Sequence, residues 1–432
     1  MDEGPGQPPP PEALVAPHTN APPKRPRADS GSSASTESNR SVRTVTSDDL
    51  EYVFENGRAY ANDTYYLPCI FLPDEDFREQ DRISLQHSAF LYALQGKLTT
   101  TRLLPSTRRI LDLGTGPGHW AVGMAQQYPD AEVVGIDMTQ WDIDTTEATL
   151  GESQVTWELD DLDVWGKETD IEDLLSRLAE HDFFSDTTNR TPIGSPTRST
   201  SRVEPGIHVH SDSSVENLTI DLSTLEPQPE PGWHFSAPFE LIHMRNMKGA
   251  FSHWEEVYAE IHKSLSPGGW VEVADYDLGN VPAPPEEPGS SSYTMLNLRK
   301  LYASLIQATY KSGRPLGLYY MHPSYMEEAG FTDVRSTHVN VPIGPWGEDE
   351  TQRSIGKIML FIVLESMEAI LLRPLTKYGD NEKIWTAEEV QTTIAAAQQE
   401  VSNWCARAEK GEVSGWCASF KWITGRKSWH VT

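Results

Sequence analysis

The sequence predicts an α/β domain on a largely parallel sheet, and three observations predict it. Apolar, β-branched runs alternate with amphipathic helical stretches between residues 109 and 274. The first run ends in a glycine-rich turn that opens the first helix, and the second run ends in an acid. Strands separated by helices need crossover connections, and crossovers between parallel neighbours are right-handed.

The elements follow in order. Arg109–Leu113 is a short apolar strand, and His119–Tyr128 carries Trp120, Met124 and Tyr128 on one helical face. Glu132–Ile136 is a β-branched strand ending at Asp137, and Gln154–Leu159 alternates and ends at Asp160-Asp161. Phe239–Met244 is a fourth strand, followed by an amphipathic helix over Glu255–Leu265. Ser266-Pro267-Gly268-Gly269 then turns into a fifth strand, Trp270–Ala274. Beyond it the pattern predicts a long apolar helix around Ile355–Leu372 and another starting at Thr386. There Thr386 and Glu389 have capping-box spacing. Ser419–Thr424 reads as a last strand.

Three stretches do not fit a core. Residues 1–47 are rich in Pro, Ser and Thr without an aromatic, and residues 166–234 carry turn residues throughout. Both are predicted disordered, because they cannot bury enough apolar surface to offset chain entropy. The second is an insert within a domain spanning 106–430, and Val281–Ser292 is a shorter Pro-rich, acidic piece. In the tail, Lys24-Arg25-Pro26-Arg27 is a basic cluster. It reads equally as a nuclear import signal or as chance basic residues.

Charge and composition exclude several classes. The net charge is −29, which argues against direct nucleic-acid or anionic-membrane binding. No run of 18 apolar residues spans a bilayer, and the N-terminus lacks a secretory pattern. Cys69, Cys405 and Cys417 form no CxxC pair, as expected of reduced thiols and no zinc site. The expectation is a soluble protein of the nucleus, the cytoplasm or both.

The informative segment is Ile110–Asp137. A strand runs through Asp112 into Gly114-Thr115-Gly116-Pro117-Gly118, and the next strand ends at Asp137, 19 residues past Gly118. Glycines let the backbone turn tightly and approach a ligand, and the acid suits two ribose hydroxyls. Two nucleoside ligands compete. A dinucleotide site reads GxGxxG, but here His119 takes the third glycine's place and Asp112 would repel a pyrophosphate. S-adenosylmethionine carries an ammonium that welcomes Asp112, and Asp160 or Asp161 would accept from its adenine amino group. The methyl donor is the favoured reading.

With these motifs on view, the chain resembles class I S-adenosylmethionine-dependent methyltransferases. More narrowly, it resembles the LaeA-like fungal family associated with velvet regulators of secondary metabolism and development. The segments that carry this are Glu55–Tyr60, Glu79–His87, Phe239–Met247, Pro267–Trp270 and Pro342–Trp346. The resemblance implies a Rossmann-like, seven-stranded sheet of order 3-2-1-4-5-7-6, with Val334–Val341 and Ser419–Thr424 as strands six and seven. It also implies a helical cap over residues 48–105, whose helix Glu79–Leu94 covers the cofactor. The cofactor set is then Asp112, Gly114, Thr115, Gly116, Gly118, Asp137, Met138, Asp160, Asp161 and Arg245, with no metal. Tyr60 and Arg82 stand near the methionine end. Helix-surface ion pairing for Arg82 and core packing for Tyr60 explain those residues equally well.

Methyl transfer is an in-line displacement, so the protein mainly aligns donor and acceptor. Arg245, His243 and Tyr60 are the catalytic candidates, with Asn246 and Asp275-Tyr276 near the acceptor. For His243 a packed strand residue is the favoured reading. Three functions stay open: an active methyltransferase with a small-molecule or protein acceptor, a cofactor-binding regulatory subunit with velvet-type partners, and a disfavoured dinucleotide oxidoreductase.

Overall fold

The computed structural model describes residues 52–68, 76–141, 155–165, 231–278, 281–282 and 295–429. The tail 1–47, almost all of the insert 166–234 and most of Val281–Ser292 lie outside the described residues. Val53–Glu55 (β1) and Arg58–Tyr60 (β2) pair as an antiparallel hairpin. Asn56 and Gly57, both at positive φ, make its turn. Asp76–Ala93 is α1, Arg109–Leu113 β3, His119–Gln127 α2, Glu132–Asp137 β4 and Val155–Leu159 β5. Phe239–Arg245 is β6, Trp254–Ser264 α3, Leu265–Asp277 β7, Leu296–Lys311 α4 and Pro323–Glu328 α5. Thr332–Ile343 (β8), Glu350–Lys377 (α6), Ala387–Glu409 (α7) and Trp416–Arg426 (β9) complete the order.

The sheet has seven strands in the order β5-β4-β3-β6-β7-β9-β8. Counted from β3, that is the 3-2-1-4-5-7-6 order the resemblance implied. β3 to β7 are parallel, and β9 runs antiparallel to both its neighbours. Alternate residues of β7 and β9 enter opposite cores. Ala274, Tyr276, Phe420 and Trp422 pack with α4, α6 and α7, while Val271, Val273 and Ile423 pack with α3. Thr386 caps α7 by the expected box: its hydroxyl accepts from the Glu389 amide and its own amide donates to the Glu389 carboxylate.

Two expectations are corrected. Ser266–Gly269 does not precede the fifth strand but lies inside it, as an irregularity where pairing slips from Phe239–Leu265 to Leu241–Trp270. Backbone hydrogen bonds between Lys427 and Gly268 and Gly269 hold it in the sheet. The N-terminal cap is also not simply helical. It contributes a hairpin, an irregular strap over 61–68 and one helix, while α4 and α6 from the C-terminal third add the rest.

Candidate active site

At the carboxyl end of β3 the chain must leave the sheet without blocking what lies above it. Gly114 and Thr115 both donate their amides to the Ile136 carbonyl, which ties the loop to β4. Gly116 has φ +57, and a Cβ there would meet nothing within 4 Å, so its missing side chain leaves open space beside the loop. Gly118 caps α2 at φ +82, and a Cβ there would lie 2.4 Å from the Trp157 ring. Trp157 of β5 therefore closes down on the loop from the sheet side.

A cavity of about 240 Å³ opens here. Asp112, Gly114, Thr115, Gly116, Asp137, Met138, Asp160, Asp161 and Arg245 all line it. Asp137 accepts from the Gly116 amide at 2.8 Å and from the Thr139 amide and hydroxyl at 3.0 and 2.9 Å. Burial nonetheless holds its carboxyl above the usual value, against those hydrogen bonds. Asp160 and Asp161 are likewise pushed up by burial. The Asp160 amide donates to the Asp137 carbonyl, which joins the ends of β4 and β5.

Asp112 is buried, and each of its oxygens is already engaged. One accepts from His243 Nδ1 at 2.7 Å and the other from the Thr115 hydroxyl at 2.8 Å. His243 stacks on Trp120 at 3.7 Å between ring centroids and does not line the cavity. As a catalytic candidate it is therefore corrected: it orients Asp112 from within the core. Arg245 does line the cavity. Burial pulls its guanidinium down to about 10, with Asp112 opposing, and it lies 5.0 Å from the Phe90 ring centroid. Asn246 adopts a positive φ of 59°, unusual for a non-glycine residue. Its side-chain amide donates to Gln86, which in turn donates to the Tyr276 hydroxyl. Its Oδ1, buried against the cavity, has no partner among the described residues.

The opposite wall comes from α1 and the strap. Arg82 lines the cavity and at the same time pairs with Glu79 and donates to the Ser366 hydroxyl. Tyr60 does not reach the site. Its ring lies under the Arg373 guanidinium at 4.2 Å, and burial pushes its hydroxyl up to about 12. The chain turns after it, with the Asn62 side chain accepting from the amides of Thr64 and Tyr65, and Tyr65 takes the lining position. Gly118 does not line the cavity either; it shapes the loop from behind.

Sequence reasoning missed the two arginines that hold the strap. Arg314 pairs with Asp163, donates to the Ala250 carbonyl and stacks on Tyr65 at 4.4 Å, while the Tyr65 hydroxyl donates to that same carbonyl. Arg373, fully buried, pairs with Glu55 and donates to the carbonyls of Asn62 and Tyr65. Its place in a periodic helix gave no local sign of a partner some 310 residues earlier.

Residues 85–342 match the family model described as a methyltransferase domain, more than half of the chain. The chain belongs to the methyltransferase domain family. It is 26% identical to the "Secondary metabolism regulator laeA" of Aspergillus fumigatus over 360 residues, covering 81% of this chain and 72% of that one. It is 27% identical to the "Secondary metabolism regulator LAE1" of Cochliobolus heterostrophus, over 75% of this chain and 81% of the relative. It is 25% identical to the "Protein-methionine methyltransferase laeA" of Emericella nidulans, over 81% and 71%. The methyl donor of this methyltransferase is S-adenosylmethionine, and the cavity fits it. Glycine leaves open space beside the loop, the Asp137, Asp160 and Asp161 carboxylates lining it suit a cationic nucleoside, and Asn246 Oδ1 is an unsatisfied acceptor for an ammonium.

Proposed function

We propose that the protein transfers the methyl group of S-adenosylmethionine to a thioether side chain of a polypeptide, and through it regulates secondary metabolism. One observation carries the catalytic part. Asp137, Asp160 and Asp161 converge with the unsatisfied Asn246 Oδ1 and with Arg245 on one cavity at the carboxyl ends of β3 to β6. Asp137 would take the ribose hydroxyls, and Asp160 or Asp161 the adenine amino group. Asn246 and Asp112 would take the ammonium, and Arg245 the carboxylate.

The bound donor supplies an electrophilic methyl carbon. Alignment, not proton removal, is then the protein's task. With a thioether acceptor the sulfur lone pair would form the new S–C bond while the donor's own S–C bond returned its electron pair to the donor sulfur, so no proton would move and no residue of this chain would have to act as a base. The names of the relatives support the regulatory role and the methionine acceptor. Velvet-type partners and nuclear import through Lys24–Arg27 belong to the same proposal, tested by co-purification and by localising a K24A/R25A variant.

Calorimetry with S-adenosylmethionine tests the donor, with micromolar binding expected; binding of NADH instead would sink it. Incubation with radiolabelled donor and a lysate of the source organism tests the acceptor. Label is expected in protein, in a form stable to base treatment that strips methyl esters. Label confined to metabolites would refute the polypeptide acceptor.

A further inference from the structure

A second cavity, of about 120 Å³, adjoins the first and shares Lys248, Tyr276, Leu316 and Ile370 with it. Its walls come from α4 and α6: Leu298, Leu301 and Leu305 face Val363, Met367 and Leu371. A void of this size between apolar side chains weakens a core, since nothing replaces the lost contacts. The wall the two cavities share is part apolar, at Leu316 and Ile370, and part polar, at Lys248 and Tyr276. Ser366 accepts from Arg82, and the Tyr276 hydroxyl accepts from Gln86, which also holds Asn246. Lys248 lies 4.2 Å from the Tyr276 ring centroid, and its ammonium is spent on Asp275 and the Tyr276 carbonyl.

We infer that this apolar chamber between α4 and α6 is the binding site for the acceptor's slim, uncharged apolar side chain, entering beside Tyr302. The inference rests on the methyl-transfer reading for its purpose, but not for its test. Size argues for a single side chain, since the chamber has half the volume of the cofactor cavity. Charge argues for a neutral one. The leucine- and methionine-lined walls penalise a lysine, an arginine or a carboxylate arm alike, and the two charged groups in the lining, Lys248 and Asp277, offset one another. The mouth is marked by Tyr302, 41% exposed although it lines the chamber.

The full-length protein, saturated with S-adenosylhomocysteine, is titrated with N-acetyl-norleucine methylamide and followed by NMR. Norleucine copies the shape of a methionine side chain and cannot be methylated, so only the chamber is read. The norleucine amide is expected to bind at least about tenfold more tightly than the N-acetyl-lysine methylamide. Val363→Phe, which fills the chamber, and Tyr302→Asp, at its exposed rim, should each weaken it by about tenfold. Neither should change the affinity for S-adenosylmethionine, which also reports that the variants fold. Undiminished binding in both variants, or a lysine amide bound as well as norleucine, overturns the chamber. Loss of donor binding in the wild-type protein would instead overturn the methyl-transfer reading and leave the norleucine result standing.

Discussion

The two walls of the cofactor cavity are built by different means. The sheet wall is made of consecutive residues whose own backbone does the positioning. Asp137 holds the amides of Gly116 and Thr139, and Ile136 holds those of Gly114 and Thr115. The cap wall has no such frame. Tyr65 reaches the cavity because Arg314 stacks on its ring and Arg373 takes its carbonyl, from positions far along the chain. One wall depends on hydrogen bonds within two adjacent strand ends, the other on buried charges between remote segments.

That contrast can be broken first at Arg373. Arg373→Met leaves the carbonyls of Asn62 and Tyr65 and the Glu55 carboxylate without their partner. The expected loss is about 3–5 kcal/mol of stability, seen in calorimetric unfolding, with weakened donor binding as the strap loosens. An unchanged Tm would mean that the strap is held by its own packing.

Asp137→Ala attacks the other wall. It removes the acceptor for two amides and a hydroxyl as well as the ribose contact, so donor affinity should fall about a hundredfold or more. Titration calorimetry showing equal affinity would place the ribose elsewhere.

Gly118→Ala sharpens the comparison by testing backbone shape alone. The left-handed φ of +82° costs an alanine about 1–2 kcal/mol, and its Cβ would press on Trp157. Combining it with Trp157→Leu should recover part of the loss, because only the steric share is relieved. No recovery in the double variant would assign the whole cost to φ.

The smallest effect is in pH. Burial raises Asp137, Asp160 and Asp161 above the unfolded value of 3.8. Their contribution therefore favours the folded state when they are protonated, and it fades as pH rises from 3.8 through the raised values. A cationic donor prefers them ionised, so its affinity should climb with pH across the same window, with protons released on binding. Calorimetry near pH 5 in two buffers of different ionisation enthalpy measures that release, and none at all would show that the acids already bind the donor-ready charge.

How much of this was legible follows from the same contrast. Asp112, the glycines, Asp137 and Asp160-Asp161 could be read off because strand, turn, helix and strand end follow one another in sequence, each with its own local signal. The local pattern also showed α6 and the capped α7, but not α4, α5 or the hairpin, which are short or flanked by breakers. His243 and Tyr60 stood at the right ends of the right segments and still missed the cavity. His243 shares a strand face with Arg245 but lies two residues further from the carboxyl end, and the chain bends between Tyr60 and Tyr65.

The sequence by itself determined the sheet, the nucleoside-binding loop and the acidic character of the donor site, because those depend on neighbours in the chain. Only the tertiary structure decided that Tyr65 and not Tyr60 closes the cavity, that His243 serves Asp112, and that α4 and α6 leave an apolar chamber beside Tyr276. Each of those rests on contacts between residues far apart in the sequence. Such contacts are set by packing and by the pairing of buried charges, which leave no periodic mark on the chain.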